Sequence, residues 1–138
     1  FLVENGSDIN QKNTLGETPL IEASKNGHKE IVDLLIKQNA NINDINNFGN
    51  NAFMEASMNG KKEIVLILLN KKINIDLVNS LGDTALILSV KNFHVEVVKI
   101  LLKNKANYSI RNKKGYTAFM ESRRHFNKEI VELLSKYK

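Results

Sequence analysis

Three histidines and four evenly spaced glutamates are the side chains in this sequence that are suited to acid–base or metal chemistry. They are His28, His94 and His125, and Glu30, Glu63, Glu96 and Glu129. A metal site needs converging ligands, but the sequence has no H-x-x-x-H or H-x-x-E-H pattern and no cysteine. It also lacks glycine-rich phosphate-binding motifs and an arguable Ser/His/Asp set. We therefore predict no catalytic residues, no metal site, no cofactor and no enzymatic activity.

The spacing of the glutamates leads to the elements that position them. The four glutamates lie 33 residues apart, and Gly16, Gly49, Gly82 and Gly115 follow the same period. Each glycine opens a related segment, in order GETPLIEAS, GNNAFMEAS, GDTALILSV and GYTAFMESR. An apolar segment then follows in each copy, in order KEIVDLLI, KEIVLILL, VEVVKILL and KEIVELLS. This period indicates a repeat array, in which the glutamates favour helix N-termini and the histidines have structural positions.

Each copy predicts two short helices. Thr18, Asn51, Thr84 and Thr117 are suited to cap the first helix, because their side-chain oxygens accept hydrogen bonds from free backbone N–H groups. Pro19 fits the first helical position of its copy. The second helix has a wide apolar stripe that one repeat cannot cover, so neighbouring repeats must cover it. We therefore predict an all-α repeat solenoid of helix-turn-helix units joined by hairpin-like loops.

These residues resemble the ankyrin repeat. The pattern G-x-T-P-L, then two small residues, G-H-x-E-I-V-x-L-L and A-x-I-N matches best in residues 13–45 and keeps its register over the chain. The resemblance implies binding of a protein partner through a concave face and loop tips. The sequence departs from the family at four repeat positions. Asn13, Asn46, Asn79 and Asn112 replace an aspartate, Ile21, Met54, Ile87 and Met120 replace a histidine, Phe93 and Phe126 replace a turn glycine, and Lys72 and Lys105 replace another glycine.

The period also predicts the repeat boundaries. Residues 1–12 are expected to be the end of a truncated upstream repeat, followed by repeats at 13–45, 46–78 and 79–111. Residues 112–138 are expected to form a C-terminal capping repeat, because Arg123 and Ser135 are polar at positions that are small or apolar in other copies. We expect the array to end there and the chain to be a segment of a longer protein.

The candidate partner-binding residues form three groups on the predicted concave face. The tip row comprises Leu15, Phe48 and Leu81, the helix rows comprise Glu22, Lys25, Glu55, Met58, Leu88 and Lys91, and the last repeat contributes Lys113, Tyr116, Arg124 and His125. The helix-row residues lie on the face opposite the predicted core. Two interpretations of the tip row stay open, namely an exposed interface row and packing against the adjacent loop.

The charge is concentrated at one end of the chain. Residues 1–102 have ten Lys/Arg and twelve Asp/Glu, whereas residues 103–138 have ten Lys/Arg and three acids. This basic C-terminal segment is suited to steering an acidic partner, and it also favours solubility. It supports a second hypothesis, contact with nucleic acid or an anionic membrane, but no recognised nucleic-acid motif or aromatic stacking series favours it.

A third hypothesis is a structural spacer for an unseen domain. The apolar runs are too short to span a membrane. The lack of cysteine is typical of a reducing compartment and favours the cytoplasm. Neither the oligomeric state nor the identity of the partner follows from the sequence.

Overall fold

The computed structural model describes residues 8–137, and all regular secondary structure in that range is helical. The helices are α1 (Pro19–Asn26), α2 (Lys29–Lys37), α3 (Ala52–Met58), α4 (Lys62–Leu69), α5 (Ala85–Lys91), α6 (Val95–Lys103), α7 (Ala118–Arg124) and α8 (Lys128–Ser135). Each predicted repeat contains one consecutive pair, so the predicted all-α repeat solenoid is confirmed. Residues 1–7 of the predicted upstream repeat lie outside the described residues.

The first helix of every repeat begins at a capping side chain. Thr18 Oγ1 accepts a hydrogen bond from the Ile21 N–H at 3.2 Å, and Asn51 Oδ1 accepts one from the Met54 N–H at 2.8 Å. Thr84 and Thr117 cap α5 and α7 in the same way. These caps fix where each short helix starts, because a helix of seven or eight residues has few internal hydrogen bonds to set its own register.

The helices pack in two layers. The layer of first helices, α1, α3, α5 and α7, is closely packed, and α2, α4, α6 and α8 form the second layer against it. Ala23, Ser24, Ala56 and Ser57 are buried on these helices, and their small side chains are suited to the close packing of the layer. Three of the residues at the family's histidine position, Ile21, Met54 and Ile87, are buried, so hydrophobic packing replaces the polar network there.

The loops between repeats form hairpin-like turns that are linked to one another. In the second repeat, the Asn46 N–H donates to the Asn50 carbonyl at 2.9 Å, and the other loops repeat this bond. Backbone N–H groups of Asn47, Ser80 and Lys113 donate to the carbonyls of Leu15, Phe48 and Leu81, respectively, at 3.0 to 3.1 Å. This ladder fixes the loop tips in register, so the tip row follows one edge of the solenoid.

The turn between the two helices of each repeat has a left-handed residue. Gly27 and Gly60 have φ values of 76° and 72°, and Phe93 and Phe126 adopt the same conformation at 65° and 57°. Lys72 and Lys105 are left-handed at the other position where the family usually has glycine. These non-glycine residues therefore keep the fold at the cost of backbone strain. Arg123 and Ser135, which are polar where the other repeats have small or apolar residues, are exposed.

Candidate protein-binding groove

An open cavity of about 360 Å³ lies between the loop tips and first helices of the middle repeats. Phe48 and Leu81, both 59% exposed, stand at its edge, and the partly buried Met58 and buried Leu88 line it from α3 and α5. We call this cavity the central cleft. The backbone bond from Ser80 to Phe48 holds the two tips beside each other. The cleft thus presents apolar surface to solvent at a fixed place.

Two ion pairs flank the central cleft. Lys25 Nζ lies 2.9 Å from Glu17 Oε2 in the first repeat, and Lys91 Nζ lies 2.9 Å from Asp83 Oδ2 in the third. Both carboxylates are buried, whereas the lysines are about one-third exposed. The hydrogen bond that Lys25 donates to Glu17 raises the pKa of Lys25, so its ammonium stays charged. The flanks of the cleft therefore offer the N–H donors of two lysines, and a neighbouring carboxylate already balances the charge of each lysine.

The second repeat has no such ion pair among the described residues. Met58 stands where the other repeats have Lys25, Lys91 and Arg124. Its neighbour Glu55 accepts hydrogen bonds from Asn46 at 2.8 Å and Asn50 at 2.9 Å, and no described residue forms an ion pair with it. The apolar side chain thus replaces a cation at the centre of the cleft.

The last repeat forms a separate basic cluster. The guanidinium of Arg124 lies 4.3 Å from the centroid of the Tyr116 ring and 2.9 Å from Glu121 Oε1. Burial raises the pKa of Glu121, but hydrogen bonds from Asn112 and Arg124 outweigh that effect and the pKa is lowered. Lys113 and Lys114 beside this cluster are exposed and form no ion pair with a described residue. We call Lys113, Lys114, Tyr116 and Arg124 the basic end of the groove.

Hydrogen bonds between loop side chains connect the cleft to the basic end. Asn79 Nδ2 donates to Asn50 Oδ1 at 2.9 Å, and Asn112 Nδ2 donates to Asp83 Oδ1 at 2.9 Å. Each bond joins one repeat to the next. The central cleft and the basic end therefore lie on one continuous surface, and hydrogen bonds join its repeats.

The structure corrects part of the predicted site. The sequence places all helix-row residues on the exposed face, but this is wrong for Glu55 and Leu88, which are 3% and 4% exposed. Glu55 is drawn inward by its hydrogen bonds to the loop asparagines, and Leu88 packs in the core. Both still line the central cleft from below.

Most of the other predicted residues lie either in the central cleft or at the basic end. Lys25, Phe48, Met58, Leu81 and Lys91 line the central cleft together with Glu55 and Leu88. His125 Nε2 lies 3.4 Å from Glu121 Oε1, next to the basic end. Leu15 and Glu22 are exposed in the first repeat but do not line the cleft. The tip row of Leu15, Phe48 and Leu81 is 44 to 59% exposed, and its contact with a partner stays a prediction.

Sequence reasoning missed the role of two buried carboxylates. Glu17 and Asp83 look like exposed tip residues because they directly follow a loop glycine. In the structure they are buried and hold the lysines that flank the cleft. The signal was present, since an acid directly after the loop glycine precedes a lysine by eight residues in the first and third repeats, whereas Asn50 and Tyr116 follow the glycine in the other two.

Other kinds of site find little support in the structure. Over residues 8–137, no group of three His, Cys, Asp or Glu side chains is arranged to hold a metal ion. Within the same range, no helix has the length and apolar character needed to cross a bilayer. His28 and His94 are the residues before α2 and α6, and neither side chain caps its helix.

The stacked helix pairs, linked loop tips and open groove define a helix-turn-helix repeat solenoid. A family model described as ankyrin repeats (3 copies) matches residues 1–79 and 72–138, and the chain belongs to the ankyrin repeat family. Ankyrin repeats are generally protein–protein interaction modules and are typically non-catalytic. Among curated proteins, no sequence matches this chain.

Proposed function

We propose that this chain is a non-catalytic module that binds a protein partner through the central cleft and the neighbouring loop tips. The observation that carries the proposal is the replacement of a cation by Met58 between the exposed Phe48 and Leu81. A cation at this position would pair with Glu55 as Arg124 pairs with Glu121. The chain gives up that pair for an apolar floor, which a partner side chain can cover.

Two features support a binding role for the tips themselves. Phe48 and Leu81 expose apolar surface although their loops are fixed by backbone hydrogen bonds, so little conformational freedom is lost when a partner binds. The lysines on both sides of the cleft keep N–H groups for a partner, because the ammonium of each donates one hydrogen bond among residues 8–137. An apolar centre with polar edges is the usual arrangement of a protein interface.

Affinity capture from a lysate of the source cells tests this proposal. The wild-type chain is compared with a cleft variant, Phe48→Ser with Leu81→Ser, and with a matched variant, Leu34→Gln with Leu66→Gln. Leu34 and Leu66 are also exposed leucines, but they lie on second helices outside the cleft. All three baits must show the same helical circular dichroism before use.

The proposal predicts a protein that wild type and the Leu34/Leu66 variant retain and that the cleft variant loses. Equal retention by all three baits would refute it. Retention of nucleic acid alone, released by added salt from every bait, would favour the polyanion hypothesis instead.

A further inference from the structure

We propose that the ligand of this groove is a linear peptide segment with one large apolar side chain and a group of carboxylates several residues away. The apolar side chain occupies the central cleft, and the carboxylates face the basic end. This inference rests on the proposed function and adds the chemistry of the bound segment and the spacing within it.

The charge on the groove side changes along the array. Residues 13–27 have two acids and one lysine, residues 46–60 have one acid, and residues 79–93 have one acid and one lysine. Residues 112–126 have two lysines, two arginines and one acid, but Arg123 stands at the repeat position of the buried Ser24, Ser57 and Val90 and is not counted on the groove side. The net charge of the groove side therefore runs −1, −1, 0 and +2 from the first repeat to the fourth. A ligand that follows the groove meets positive charge at one end only.

The cations at that end are incompletely balanced. Lys113 and Lys114 have no acidic partner among the described residues, and they lie on the loop tip where solvent reaches them. Glu121 offsets one charge, and it is buried beneath Arg124. Lys25 and Lys91, by contrast, are each balanced by a buried carboxylate. Carboxylates on a partner gain more at the fourth repeat than at the cleft.

A uniformly charged polyanion fits this distribution poorly. The first two repeats have a net negative charge on the same side, so a nucleic acid following the groove would meet repulsion over half its length. Met58, Leu81 and Leu88 give the cleft apolar surface, and the charges of the two lysines that line it, Lys25 and Lys91, are already balanced by Glu17 and Asp83, so a phosphate gains little there. A polypeptide can place an apolar side chain there and keep its acids for the basic end.

The geometry of the repeats sets the spacing within the segment. Neighbouring packed helices lie about 8 to 10 Å apart. The fourth repeat is one and a half such spacings from the middle of a cleft shared by the second and third repeats, which is about 12 to 15 Å. An extended chain advances about 3.3 Å per residue. The carboxylates should therefore lie about four or five residues from the apolar side chain.

Selection from a library of random peptides displayed on phage tests the inference, because such a library contains both the expected ligands and their alternatives. The folded chain is the bait, and enriched peptides are synthesised and titrated by fluorescence anisotropy. Three variants are compared with wild type, namely Phe48→Ser with Leu81→Ser, Lys113→Glu with Lys114→Glu, and the matched Leu34→Gln with Leu66→Gln. Each titration is repeated at about 0.01 M and about 0.15 M salt, where the Debye length falls from about 30 Å to about 8 Å.

The inference predicts enriched peptides with Asp or Glu about four or five residues to one side of a Leu, Met or Phe. Their binding should weaken at least about tenfold in the Lys113/Lys114 variant, lose its salt dependence there, and weaken in the Phe48/Leu81 variant at both salt concentrations. The matched variant should bind like wild type.

Three results would overturn the inference. Peptides that need Phe48 and Leu81 but show no acidic bias would refute the ligand chemistry and leave the proposed function standing. Peptides that bind the Phe48/Leu81 variant as tightly as wild type would count against the ligand chemistry and against the cleft as a binding site. No enrichment at all would refute a linear segment as ligand, and the lysate capture would then decide separately whether the cleft binds a folded partner.

Discussion

Asn112 Nδ2 donates a hydrogen bond to Glu121 Oε2 at 2.8 Å, although the residue at this position is usually aspartate in the family that the chain resembles. The same nitrogen donates to Asp83 Oδ1 at 2.9 Å, and Asn112 Oδ1 accepts the N–H groups of Lys114 and Tyr116. An aspartate could accept the two loop N–H groups but could not donate to the carboxylates. The asparagine is therefore explained by the acids that surround it.

This relationship predicts a large loss of stability for Asn112→Asp. The substitution removes two hydrogen bonds to charged groups, each worth about 1.5 to 3 kcal/mol, and adds a third carboxylate between two others. We expect the free energy of unfolding at neutral pH to fall by about 3 kcal/mol or more, measured by urea denaturation. Asn13→Asp is the matched control, because the side chain of exposed Asn13 donates to Glu17 at 3.2 Å and to no other described residue. Equal losses for the two substitutions would contradict this explanation.

Acid should destabilise the protein through Glu17 and Glu121. Burial raises the pKa of both carboxyls, but hydrogen bonds from Lys25 to Glu17 and from Asn112 to Glu121 help to lower the pKa below the ordinary 4.5. The unfolded chain then takes up protons at a higher pH than the folded chain does. The stabilisation is complete above pH 4.5 and is lost as the pH falls through the lowered pKa values.

Thermal unfolding across this acidic range measures the effect. Glu121→Gln should be less stable than wild type at neutral pH and should lose less stability on acidification, because one of the titrating groups is gone. An equally steep loss in the variant would show that the pH dependence comes from other groups.

The left-handed turns predict substitutions of opposite sign. Gly60 has φ of 72°, and a Cβ there would lie 2.5 Å from His94 Nδ1, so Gly60→Ala should cost more than about 1 kcal/mol. Gly115→Ala should cost less, because a Cβ at Gly115 meets no atom within 4 Å. Lys105→Gly should stabilise the protein by about 0.5 to 1 kcal/mol. The substitution removes left-handed strain of about 1 to 2 kcal/mol, and the greater conformational entropy of glycine in the unfolded chain offsets part of that gain.

Midpoints of urea denaturation for the three variants check this order. The account requires Gly60→Ala to be the least stable of the three and Lys105→Gly to exceed wild type. A reversed order would mean that the turns are not under the strain that their φ values indicate.

The sequence was sufficient for the array because its determinants are local. Capping residues such as Thr18 and turn residues such as Gly27 act on their own helix, so a fixed spacing predicts the helices and their pairing. The burial of Glu55 was not predictable in this way. Each loop asparagine has one side-chain NH2 group, and spacing does not reveal which side-chain oxygens accept its hydrogen bonds.

The repeats in fact differ in that choice. Asn13 donates to Glu17, whereas Asn46 donates to Glu55 and Asn79 to Asn50 of the preceding loop. The partner depends on which polar side chains the stacked neighbours bring within reach. The central cleft depends on the same choices, because they decide which helix-row side chains turn inward and which remain on the groove.

The most direct test of the account is a comparison of stability and binding in Met58→Arg. The new guanidinium should pair with Glu55 three residues earlier, as Arg124 pairs with Glu121, so stability should be unchanged or slightly higher. The same substitution fills the apolar floor of the cleft with charge, and we expect the affinity for the captured partner or the selected peptide to fall at least about tenfold. A stable Met58→Arg protein with wild-type affinity would contradict the claim that this cleft is the binding site.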